Sequence, residues 1–205
     1  LEETLGDWPY VLGYPVAGGS LRGDALDCVV FDHVMLELEE KADVPDYAAL
    51  RRLLSDAGLK AEEPFDMLEW IWLHMAVNAG VITTAAKYGD VRDTAAAAQR
   101  VMASAPALSE AVRAIRETAK IIASRGVKLR NYNNELLAYK IPSKIAGAVM
   151  KRMFRRNERT RRIMTLHSNT ADLLFVCKSV YECGKAAGVS APVFYENYER
   201  MLRML

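Results

Sequence analysis

The longest run of helical hydrophobic periodicity in the chain extends from Pro64 to Tyr88, PFDMLEWIWLHMAVNAGVITTAAKY. From Leu68, the residues Ile71, Trp72, Met75 and Ala79 recur at steps of 3, 4, 7 and 11, which predicts one strongly apolar helical face. Pro64 suits the first turn of such a helix and Gly89 its end. This helix is expected to be the most buried of the protein. His74 and Asn78 interrupt the apolar surface one helical turn apart, so their side chains point the same way. Two readings are open. The pair can edge a cleft, or it can be a core His and Asn whose polar atoms are simply hydrogen-bonded, as buried polar groups must be.

Ahead of that helix the pattern changes. Residues 10–17 read as an extended run, Gly18, Gly19 and Gly23 punctuate a turn, and residues 27–31 and 34–38 are β-prone. Pro15 argues against a central strand, because proline cannot donate to the ladder. These two or three short strands read as the margin of a larger sheet whose other strands lie outside this sequence.

Beyond residue 45 the pattern is helical. Asp46 is placed to cap a helix closed by Gly58, Asp93 to cap an alanine-rich helix, and Pro106 to open a helix stopped by Gly126. The polar, tyrosine-rich residues 131–139 suit a short helix or an irregular stretch. Pro142 starts another helix, residues 158–187 read as one long helix ended by Gly188, and Pro192 starts the last. The expected fold class is therefore mainly α, a bundle of seven or eight helices with short links. Residues 1–45 form its strand-rich segment and 46–205 its all-helical domain.

Composition narrows the classes of function. The 205 residues suffice for one large domain or a domain with an appendage. Hydrophobic residues make up 51% and charged residues 26%, an ordinary soluble balance. A net charge of +1 predicts neither a nucleic-acid nor a membrane partner from bulk electrostatics. No apolar run approaches the roughly 18 residues of a membrane-spanning helix. Cys28, Cys177 and Cys183 are odd in number and form no CxxC pair. With no signal-peptide pattern visible, a reducing cytoplasm is the expected setting. There is no G-x-G-x-x-G and no G-x-x-x-x-G-K-[ST], so the chain by itself is not expected to hold a nucleotide in the usual way. His33, His74 and His167 lie in separate segments without metal-ligand spacing, and no metal is expected.

One charge run stands out. Lys151, Arg152, Arg155, Arg156, Arg159, Arg161 and Arg162 place seven cations in twelve residues against Glu158 alone. The run is either a solvated helix junction or a basic rim for an anionic ligand, such as the phosphate of a cofactor held by another domain.

Four segments together resemble the C-terminal half of ketopantoate reductases (2-dehydropantoate 2-reductases). GYPVAGGSLRGDALDCVVFD is similar to the family's G-x-P-x-x-G-G strand-turn-strand. WIWLHMAVNAGVIT stands where the family has W-x-K-x-x-x-N on its first core helix. The stretch from Glu117 to Gly126 resembles the helix end E-x-x-x-[IVL]-x-x-x-G, and that from Asp172 to Pro192 resembles an acidic-residue helix with its G-[IV]-x-x-P turn. The resemblance covers nearly the whole chain.

The resemblance implies a helical bundle like the C-terminal domain of 6-phosphogluconate dehydrogenase, with the strands left from a Rossmann-type domain. It implies the substrate-binding and dimerisation half of an oxidoreductase that reduces a small 2-keto acid with NADPH. The NADP would be held mainly by a domain absent from this chain, and a homodimer is expected. Asn78 matches the family asparagine at the substrate and nicotinamide. Asp172 stands for a substrate-binding glutamate, Thr160 lies near a substrate-contacting serine, and Glu117 matches a further family glutamate assigned to substrate binding. The family's catalytic lysine is His74 here. A histidine can also protonate the alkoxide that forms when hydride reaches a keto carbon, with an unperturbed pKa near 6.5. The alternative is a non-catalytic, all-α dimerisation or binding module that kept the fold and lost the activity.

Overall fold

The computed structural model describes residues 2–166 and 169–205. They cluster into two compact units, one from the chain through Ala17 with Val30–Ile71, the other from Gly18–Val29 with Trp72–Leu205.

A one-turn helix α1 (Glu2–Leu5) precedes strand β1 (Gly13–Arg22), which turns at Gly23 into β2 (Ala25–Leu36); the tip of this hairpin, Gly18–Val29, is counted with the second unit. Gly23 has φ +60°, a left-handed conformation that glycine adopts without steric cost. Helix α2 (Tyr47–Asp56) and strand β3 (Lys60–Glu62) follow. The sheet order is β1-β2-β3, and β3 runs parallel to β2 with His33 opposite Lys60 and Met35 opposite Glu62. Parallel neighbours need a crossover, and α2 supplies it.

This differs from the sequence reading at two points. The strands of the hairpin are long, and β1 runs straight through Gly18 and Gly19. Glycine is needed there for close approach: a Cβ on Gly19 would come within 2.9 Å of the Cys28 Cβ. A third strand also lies within the stretch read as helical. Three residues carry no measurable period, and only the partner strand β2 makes Lys60–Glu62 extended. Pro15 is accommodated because β1 stands at the outer end of the strand order. Asp46 caps α2 by accepting from the Ala49 N–H at 2.7 Å. The buried Tyr47 hydroxyl lies 2.5 Å from the Glu37 carbonyl oxygen and 2.9 Å from Glu63 Oε1, and burial together with Glu63 pushes its pKa up.

Helix α3 (Met67–Tyr88) begins one step after Asp66, whose carboxylate accepts from the Glu69 N–H at 3.0 Å. In the second unit it is followed by α4 (Thr94–Ala103), capped by Asp93, and α5 (Ala105–Ser124), capped by Ser104 with Pro106 in its first turn. A 3-10 turn (Leu129–Tyr132) leads to α6 (Asn133–Lys140), α7 (Ser143–Arg156), α8 (Glu158–Leu166), α9 (Thr170–Ala186) and α10 (Pro192–Leu202). The chain is mainly α, as the periodicity predicts. The single long helix expected over residues 158–187 is instead two. Asn169 caps α9, its side chain accepting from the Ala171 N–H at 3.1 Å, which offers the backbone an alternative to continuing the helix. His167 lies outside the described residues.

Helix α5, not α3, is the most buried: Val112, Ala114, Ile115, Ile121 and Ile122 are wholly enclosed. The buried stripe of α3 is also not the one its periodicity suggested. Of the predicted stripe only Ala79 is fully buried; Leu68 is 51% exposed and Ile71, Trp72 and Met75 are half-buried, whereas Met67, Trp70, Leu73 and Ala76 are buried. Because α3 is apolar nearly all round, hydrophobicity does not choose its inner face; small residues do. A Cβ on Gly80 would lie 2.8 Å from the Ile115 backbone nitrogen, and the Thr118 hydroxyl donates to the Ala76 carbonyl at 2.8 Å. The helices therefore meet almost backbone to backbone. No described helix is long and apolar enough to cross a membrane.

Candidate functional site

Small side chains on α3 and α4 leave room between the helices. Val81, Ile82, Ala85 and Ala86 of α3 face Val91, Ala97 and Ala98 across a cavity of about 100 Å³. Met164 of α8, Leu173 of α9 and Met201 of α10 close it. Among the described residues, Asn78, Thr94 and Thr170 are the polar ones in this lining. Asn78 offers both donors and an acceptor, and each threonine a hydroxyl that can do either. An apolar wall with a few polar groups is the usual make-up of a small-molecule site.

The residues singled out from the sequence stand at different distances from this cavity. Asn78 is in its wall. His74 is half-buried one turn earlier on the same ridge of α3, outside the lining. Asp172 lies in the first turn of α9 between two lining residues, Thr170 and Leu173, but is itself exposed and accepts from Asn169 Nδ2 at 2.7 Å. Thr160 sits in the first turn of α8, one turn before the lining residue Met164, and its N–H donates to Asn157 Oδ1 at 2.9 Å.

Glu117 is elsewhere. From α5 its carboxylate accepts from the Phe194 N–H at 2.8 Å, at the start of α10, where the N-cap residue Ala191 has no side chain to do so. Burial raises its pKa, while hydrogen bonds from the Phe194 and Val193 backbone oppose that rise. The fold thus brings Asn78 together with the approaches to Asp172 and Thr160, and it engages Glu117 in helix capping.

Two features were missed in the sequence. Thr94 and Thr170 were given no role, although the alanine run after Thr94 is a signal that α4 leaves space. The second is a buried polar cluster around Glu110, which is only 5% exposed. Lys87 Nζ donates to Glu110 Oε1 at 2.8 Å, Asn197 Nδ2 to the same oxygen at 3.1 Å, and the Tyr88 hydroxyl to Oε2 at 3.0 Å. Burial alone would raise the carboxyl pKa, but these three donors hold it below the usual range. Among the described residues no group of three His, Cys, Asp or Glu is placed to hold a metal ion.

No family model matches the sequence. No characterised protein matches it by sequence either. Solved structures do match. A dimeric ketopantoate reductase from Staphylococcus aureus superposes with a TM-score of 0.57 at 12% identity, over 95% of this chain and 61% of that one. The chain shares its fold with ketopantoate reductases. It shares it also with D-mandelate dehydrogenase, whose ternary structure with NADH and anilino(oxo)acetate matches at a TM-score of 0.56 and 16% identity, over 94% of this chain and 57% of that one. A structure of D-mandelate dehydrogenase with NADH matches at 0.52 and 18% identity, over 94% and 61%. The present chain thus spans about three fifths of the length of the chains it resembles.

Proposed function

We propose that this chain is the substrate-side part of an NAD(P)-dependent oxidoreductase that reduces a small 2-keto acid, 2-dehydropantoate or a relative, to the 2-hydroxy acid. The observation that carries the reading is that Asn78, one turn from His74 on α3, lines an apolar cavity among helices whose fold is that of two keto-acid-type dehydrogenases.

The size of the cavity sharpens it. About 100 Å³ is below the roughly 300–1,000 Å³ of a site that encloses a whole drug-sized ligand. It is nearer the 150 Å³ cavity that takes benzene. The cavity fits the branched or aromatic end of a keto acid and is far too small for a whole dinucleotide, so most of the cofactor would lie outside it, held mainly by residues beyond this chain. Asn78, in the wall of the cavity, would touch both substrate and nicotinamide. A bound nicotinamide cofactor supplies the hydride. His74, as imidazolium, gives its proton to the oxygen that was the keto oxygen, while the Asn78 amide orients that oxygen by hydrogen bonding. Asp172, with Thr160, accepts from substrate hydroxyls at the rim, and Glu117, outside the cavity lining, holds the start of α10 through the Phe194 N–H. We place the protein in the cytoplasm, where such small-acid metabolism has its cofactor.

The exposed stripe Ile145, Val149 and Met153 on α7, each one turn from the next and 43–57% exposed, supports a homodimer. The same stripe favours the second reading, an all-α dimerisation module without activity. The two separate in one experiment: the chain joined to its nucleotide-binding domain is assayed for NADPH and NADH oxidation with 2-dehydropantoate, 2-ketoisovalerate and phenylglyoxylate. Turnover of any of them sustains the reductase, and none at any pH from 5 to 9 leaves the module.

A further inference from the structure

A second and larger recess of about 690 Å³ opens where α4, α7 and α8 meet, and the proposed reduction makes no use of it. Lys151 and Arg155 reach it from α7, and Arg161 and Arg162 from α8; among the described residues Glu158 is the only acid in its lining. Met102 and Phe154, 5% and 6% exposed, also line it with apolar surface. Its volume lies within the range of small-molecule sites.

The charge is concentrated here. Four cations against Glu158, with Asp27 paired to Arg162, leave a local net charge of +2, whereas the whole chain carries only +1. A basic run on a convex helix face would be dispersed by solvent. Gathered around a concavity, the same charges reinforce one another and focus an anion-attracting field.

The cations are also of two kinds. Arg162 is ion-paired to Asp27, and Arg161 donates to the Phe154 carbonyl, so both guanidinium groups are held in place. Lys151 and Arg155 have no carboxylate partner among the described residues. Two fixed guanidinium groups and two unclaimed cations over an apolar floor suit a ligand with several anionic oxygens joined to a planar or apolar group. Guanidinium binds phosphate oxygens through paired N–H donors.

We propose that this recess is a binding site for a phosphate-bearing small molecule, a diphosphate joined to a planar group, separate from the keto-acid cavity. Such a diphosphate has two sources: the dinucleotide cofactor of an adjoining domain, or a free nucleotide. Binding is read without turnover, so failure of the reductase reading leaves this one standing, and the reverse.

The test is calorimetry of the 205-residue chain with inorganic pyrophosphate, ADP and NADP+, at low and at physiological salt. Pyrophosphate and ADP should bind one to one with dissociation constants of about 0.1–1 mM, ADP the tighter because its base covers the apolar floor. Lys151→Glu with Arg155→Glu should weaken both about tenfold or more, while Lys144→Glu, on the same helix but outside the recess, should weaken them much less. Circular dichroism of each variant verifies folding. NADP+ binding tighter than ADP points to the dinucleotide, and ADP equal or tighter points to a free nucleotide. Absence of binding by both pyrophosphate and ADP, or equal weakening by Lys144→Glu, overturns the proposal.

Discussion

The Glu117 carboxylate on α5 lies 2.8 Å from the backbone N–H of Phe194 and so caps a helix 77 residues further along the chain. Loss of a helix cap costs about 1 kcal/mol. Glu117→Ala should therefore lower the melting temperature by several degrees, and Glu117→Gln, which keeps an acceptor oxygen, should lower it much less. If Glu117→Gln instead raises KM for the keto acid at an unchanged melting temperature, Glu117 contacts substrate.

Glu110 titrates in the opposite sense from Glu117. Its folded pKa is depressed, so it contributes stability that is present above the ordinary glutamate value near 4.3 and is lost as the pH falls through the lower folded value. Glu117, with its pKa raised, loses its contribution as the pH rises through the folded value. Glu110→Gln should destabilise at pH 7 by about 1–3 kcal/mol, because Lys87 and its neighbours lose a charged acceptor. It should also flatten the fall of melting temperature between pH 5 and 3. An unchanged acid limb in thermal scans across that interval assigns the acid sensitivity to other carboxylates.

Gly80 tests the α3–α5 contact. An added Cβ would meet the backbone of Ile115 at 2.8 Å, and backbone cannot rotate away. Gly80→Ala should cost about 1–3 kcal/mol of overpacking, although alanine is the better helix former. A chemical-denaturation midpoint equal to or above that of the parent would show that the two helices can separate without loss.

His74 carries the chemical prediction. In the two-domain reductase proposed above, His74→Ala should lower kcat by about 10² to 10⁴, the usual worth of a positioned general acid, with a smaller effect on cofactor affinity. His74→Lys should keep partial activity and hold it to higher pH, because lysine loses its proton later. Turnover and melting temperature measured on the same preparation separate this from a packing role, in which His74→Ala melts earlier but turns over as before.

Val149 probes assembly. It is 57% exposed in the middle of the apolar α7 stripe. Light scattering should find a dimer for the parent chain, and Val149→Glu, which adds a charge where no core is disturbed, should shift it to monomer. A parent chain that is monomeric at high concentration removes the α7 interface.

Much of the architecture was legible in the sequence. Asp46, Asp93, Pro106, Gly126 and Pro192 mark helix ends through local chemistry, because a capping oxygen, a fixed φ or a missing Cβ acts within one turn of its own position. The polar ridge of His74 and Asn78 was visible for the same reason. What local patterns could not supply were relations between distant segments. The inner face of α3 follows from Gly80 meeting Ile115, and β3 exists only beside β2. The cavity at Asn78 depends on where α8, α9 and α10 close over the alanines of α4. The link from Glu117 to α10 and the cluster around Glu110 join residues 22–87 positions apart. Capping and periodicity are properties of one turn of chain and survive in the sequence; packing, burial and the satisfaction of buried charge depend on partners that only the tertiary structure selects.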